Sequence, residues 1–105
     1  MKLARLRPRA EQDLVEIARY YAQEGGIALG ERMFDAALAA LEPIQRMPRM
    51  GSPRLGLLCE IPGLRSRRVS GFPLQWFYFE VDDHLDVVRL LGDRQDIAAI
   101  PGDAF

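Results

Sequence analysis

Cysteine, histidine and lysine each occur once in this sequence, as Cys59, His84 and Lys2, and each shortage excludes a class of function. A lone cysteine cannot close an internal disulfide, and Cys59, Glu60 and His84 show no metal-ligand spacing, so neither a metal nor another cofactor is expected. Apolar runs are also short. None approaches the roughly 18 residues that span a bilayer, and Met1 to Arg7 lacks the apolar segment of a secretion signal, so a cytoplasmic protein with no membrane contact is expected. Charge of either sign is not in excess: the net charge is -1, a weak basis for gripping a long phosphate backbone. Internal repeats, low-complexity tracts and sustained heptads are absent.

What is present fits one core. A chain of 105 residues with 49% hydrophobic content is expected to fold as a single domain over residues 1–105. Thirteen of its 14 cationic residues are arginine, which favours planar, two-pronged contact with carboxylate or phosphate. The acids gather in the first helical segment, at residues 80–86 and in the tail, while Arg46, Arg49, Arg54, Arg65, Arg67 and Arg68 form a basic stretch.

Alternation over residues 2–7 predicts a short first strand, and Pro8 then opens a helix in which Leu14, Ile17, Ala18 and Tyr21 form an apolar stripe. Arg7 stands where a capping Ser, Thr or Asp is preferred, which predicts fraying. Gly25-Gly26 breaks the pattern. A second helix is predicted from about Ala28 to Arg46, antiparallel to the first, with a disturbed last turn at Pro43. Residues 48–63 are rich in proline and glycine, and only Leu57 to Ile61 could form a strand there. Met33, Met47 and Met50 are expected to pack.

Residues 64–70, 75–81 and 85–91 then predict three strands, the last two forming a hairpin with His84 at its corner. In the middle strand Phe77, Phe79 and Val81 share one face, and this face is expected to lie against the helices. Trp76, Tyr78 and Glu80 share the other face, which is less apolar and is expected to meet a partner. The fold class is therefore α+β: an N-terminal strand and an antiparallel two-helix hairpin packed on a C-terminal antiparallel sheet.

Three groups of residues carry a resemblance over nearly the whole chain: Pro8-x-Ala10-x-x-Asp13-Leu14-x-x-Ile17-x-x-Tyr20, then Pro48-x-x-Gly51 with Leu64-Arg65, then Arg89-Leu90-Leu91-x-x-Arg94-x-Asp96-Ile97. In this order they resemble the ParE/RelE toxin superfamily of type II toxin-antitoxin modules, the ParE branch more closely. Gly92-Asp93 departs from the His-Gly that many ParE-like chains carry before the arginine.

The resemblance implies a toxin neutralised by a cognate antitoxin with an acidic amphipathic C-terminal segment, and touching DNA only through that antitoxin. In the ParE branch the implied target is DNA gyrase, inhibited by binding; the target-binding candidates are Arg65, Arg67, Arg89, Arg94 and Asp96. Trp76, Tyr78 and Arg68 are the antitoxin-binding candidates.

Two alternatives remain. A RelE-like, ribosome-dependent ribonuclease would use Arg67, Arg68 and Arg94, although Leu74-Gln75 replaces an arginine usual in such enzymes and the tail lacks their tyrosine. An inactive, antitoxin-binding member is the other. Each candidate also has a plainer reading. Arg94 and Asp96 could close the sheet, Arg67 and Arg68 could be solvated strand residues, and Trp76 and Tyr78 could belong to the core.

Overall fold

The protein is described by a computed structural model for residues 1–93, 97, 100 and 102–105. Strand β1 (Leu3–Leu6) leads into helix α1 (Pro8–Gly25), and helix α2 (Ile27–Arg46) returns alongside it. A 3-10 turn at Pro48–Met50 and the short helix α3 (Arg54–Leu58) precede strands β2 (Arg65–Arg68), β3 (Leu74–Glu80) and β4 (His84–Gly92). The sheet order is β1-β4-β3-β2. β2, β3 and β4 are antiparallel neighbours, whereas β1 lies parallel to β4, with Leu3 opposite His84 and Leu6 opposite Val87.

The start of α1 is tied down without a capping side chain. Arg7 N–H donates to Val87 O at 2.9 Å, and its guanidinium makes a two-pronged bond to Asp86, at 2.9 Å to Oδ1 and 2.7 Å to Oδ2. The turn between the helices uses Gly26 at φ 98°, a backbone region that side chains disfavour. Gly30 then sits where the helices come closest. A Cβ there would lie 2.8 Å from Ala18 O and 2.9 Å from the Ala22 Cβ, so only glycine permits this spacing.

Both faces of the sheet are covered. On one, Ala10, Leu14, Met33, Ala37, Leu41 and Ile44 from the helices meet Trp76, Tyr78, Leu85, Val87 and Leu90. On the other, Leu64, Phe77, Val88, Leu91 and Ile97 pack with Leu55, Ile61, Phe79 and Phe105. A register shift between Phe77 and Tyr78 skips Val88 on β4, so Val87 before the irregularity and Leu90 after it both belong to the helix side. A bulge is the usual way a strand changes which residues face inward.

This arrangement reverses the expected orientation of β3. Trp76 and Tyr78, not Phe77 and Phe79, lie against the helices, and both are fully buried. The reason is chemical: each has one polar atom, and the helix side supplies its partner. Trp76 Nε1–H donates to Ala37 O at 2.8 Å, while Tyr78 O–H donates to Pro48 O at 2.5 Å and accepts from Gly51 N–H at 3.0 Å. The phenyl rings, which need no partner, take the wholly apolar second core.

Two further expectations are corrected. Leu57 to Ile61 form no strand: α3 ends at Leu58, and Glu60 takes φ 57°, a left-handed conformation incompatible with an extended run. Met33 is buried, but Met47 and Met50 are 60% and 44% exposed, because the chain after α2 crosses the surface rather than the core. Among the described residues no helix is long and apolar enough to cross a membrane, and no three metal-ligating side chains gather.

Candidate functional site

The arginines named from the sequence have divergent surroundings, set by the strand positions they occupy. Arg65 and Arg67 stand opposite Tyr78 and Trp76, hence on the helix side of β2, and Arg68 stands opposite Gln75 on the other. Arg65 is half-buried and holds the preceding loop: its Nη1 donates to Gly51 O at 2.7 Å and to Arg49 O at 3.2 Å. Arg68 pairs with Asp93 at 2.5 Å, and the other oxygen of that carboxylate accepts from Gln75 Nε2 at 3.2 Å. Arg67 differs from both. It is half-buried, its Nε is fully buried, and that donor has no partner among the described residues.

Arg89 is not available to a target. Its side chain is 11% exposed, with Nε 2.7 Å from Asp13 Oδ2 and Nη2 3.2 Å from Oδ1. Leu90 N–H, past the end of the β1 pairing, donates to the same carboxylate at 3.1 Å. Asp13 thus answers a cation and a strand edge together. Asp13 stands in sequence among the polar residues Glu11, Gln12 and Glu16, yet it falls at i+3 from Ala10 and i-4 from Ile17. A carboxylate at helical spacing from buried residues was the signal for this pair.

Trp76 and Tyr78 cannot meet an antitoxin in this conformation, since neither exposes any surface. Burial also raises the Tyr78 hydroxyl above its ordinary 10.0, an effect partly opposed by the Gly51 hydrogen bond and by the nearby charges of Arg65 and Arg67. Arg94 and Asp96 lie outside the described residues.

Exposed apolar surface occurs elsewhere, on α1 and the helix turn. Tyr20 is 57% exposed and borders, with Ile17, Tyr21 and Leu74, a cleft of about 690 Å³ that ends at Asp93. Tyr20, Tyr21 and Phe72 meet edge to face, with centroids 5.6 and 5.2 Å apart. Val15 and Ile27 border a second cleft between the helices, flanked by Arg19 and Glu31. The sequence reading assigned no contact role to these positions.

A helical hairpin on one face of a four-stranded sheet, with the first strand parallel to the last, defines the class as a ParE-like toxin fold. The chain is similar in structure to a protein of the "Chromosomal ParDE TA system from P. aeruginosa", with a TM-score of 0.76 at 18% identity, covering 88% of this chain and 96% of that one. A family described as "ParE toxin of type II toxin-antitoxin system, parDE" matches residues 4–97, and the chain belongs to it. No curated protein sequence gives a significant match.

Proposed function

We propose that this ParE-family toxin inhibits DNA gyrase by binding it and is neutralised by a cognate antitoxin whose acidic, amphipathic C-terminal segment covers the toxin. The observation that carries this reading is the dispersal of the arginines. Phosphodiester cleavage requires cations aimed at one developing charge. Here Arg67 and Arg68 project from opposite sides of β2, and Arg68 is already paired with Asp93. Such a surface suits contact better than chemistry. The clefts beside Tyr20 and Ile27 suit the apolar side of a partner helix, and Arg19 could meet its acidic side.

The proposal also places the protein in the cytoplasm, as one domain, reaching DNA only through its antitoxin. Purified toxin added to gyrase and supercoiled DNA is expected to accumulate cleaved complexes, and the antitoxin is expected to abolish the effect. Unchanged cleavage would remove gyrase as the target. In cells without antitoxin, DNA synthesis should fail before protein synthesis; the reverse order would favour the ribosome-dependent ribonuclease, and normal growth an inactive member.

A further inference from the structure

From the free edge of β2 we infer that this strand accepts an extended acidic peptide, which pairs with the backbone of Arg68 and places a carboxylate on Arg67. The inference rests on the proposed toxin-antitoxin reading, in which the peptide is a segment of the antitoxin.

The edge is half-occupied. Ser66 exchanges both backbone hydrogen bonds with Ser52, at 2.8 and 2.9 Å. These bonds point away from β3, so the Arg68 N–H and C=O, two residues on, point outward as well. Pro53 prevents the covering segment from continuing, and the chain turns into α3. Among the described residues no backbone group answers Arg68.

The side chains at this edge select the occupant. Arg67 lies on the helix side and Arg68 on the other, where Arg54 borders the same hollow. An added strand, about 4.8 Å from β2, would direct alternate residues to these two sides. Arginines on an edge can serve simply to repel stray strands. Such a guard keeps its whole guanidinium in water, whereas in half-buried Arg67 the Nε is buried without an acceptor, a costly state for a guanidinium donor. A carboxylate arriving on a partner chain would draw the guanidinium outward and answer it. An RNA phosphate could do so too, but it offers no backbone N–H and C=O for Arg68, so the edge favours a peptide.

The test uses the intact toxin with a synthetic peptide of alternating threonine and glutamate, its threonine-glutamine counterpart, and a short single-stranded oligouridine. The glutamate peptide is expected to slow amide exchange at Arg68 and move the Arg67 Nε–H resonance. R67Q should weaken binding about tenfold or more, the scale of one charge-assisted hydrogen bond, with partial recovery in R67K. R68P should bind more weakly than R68A, since only proline removes the outward N–H; thermal melting of each variant establishes that it is folded.

Equal binding of the two peptides, or no protection of Arg68, would overturn the inference. So would oligouridine binding with the same Arg67 dependence, or protection of Arg68 by self-association alone. Antitoxin that binds wild type and R67Q equally would overturn the edge site while leaving neutralisation intact. Antitoxin that fails to bind wild type would overturn the toxin-antitoxin reading itself.

Discussion

Removing the Asp13 carboxylate would leave the Arg89 Nε–H and Nη2–H and the Leu90 N–H without their acceptor inside the molecule. Losing one partner of a buried pair costs more than the pair itself contributes, because a charge is stranded. Asp13→Ala is therefore expected to lower the unfolding free energy by about 3–5 kcal/mol, measured by urea denaturation. Tyr78 offers a test through pH. Its folded-state value is raised above 10.0, so its protonated form contributes fully below that pH, and the contribution is lost as pH rises through the folded value. Tyr78→Phe should cost about 1–3 kcal/mol at neutral pH, since Pro48 O and Gly51 N–H lose their partner. Above pH 10.0 the two proteins should converge, because phenylalanine has no proton to lose. A parallel decline in both would show that another group governs alkaline unfolding.

Between the helices two effects oppose each other at Gly30. Alanine is the better helix former by about 1 kcal/mol. Its Cβ, however, would meet backbone oxygen at 2.8 Å, and backbone cannot swing aside as a side chain does. Overpacking of this kind costs about 1–3 kcal/mol, so Gly30→Ala is expected to lower the thermal midpoint despite the gain in propensity.

The sequence was legible at this scale wherever one periodicity dominated. Leu14, Ile17 and Tyr21 marked α1, the glycine pair marked the turn, and the aromatic run marked β3. The orientation of β3 was not legible, because a strand covered on both faces carries apolar residues at every position. Trp76 and Tyr78 looked less buried than their neighbours only because hydropathy counts their polar atoms and cannot see Ala37 O or Pro48 O. The irregularity near Val88 was hidden for the same reason. Arg67 and Arg68 were legible as strand neighbours, but the buried, unanswered donor of Arg67 depends on the whole surrounding surface.

Across the whole molecule, the first strand depends on the last. Leu3 to Leu6 rest against His84 to Val87, and Lys2 bonds Val81 O at 2.6 Å. A chain ended before His84 should therefore lose β1 from the sheet along with β4. Such a truncation is expected to arrest no growth and to be degraded rapidly by added protease, whereas the intact chain resists; equal resistance would show that the helices hold without the closing strand.

The parallel seam between β1 and β4 also orders events during translation. Strand β1 is made before both long helices and two further strands, and its hydrogen-bonding neighbour β4 only after them, so the seam cannot form while the intervening segments are being translated. A nascent toxin is thus unfinished until β4 has been made. Antitoxin translated nearby would have that interval in which to accumulate before the mature surface exists.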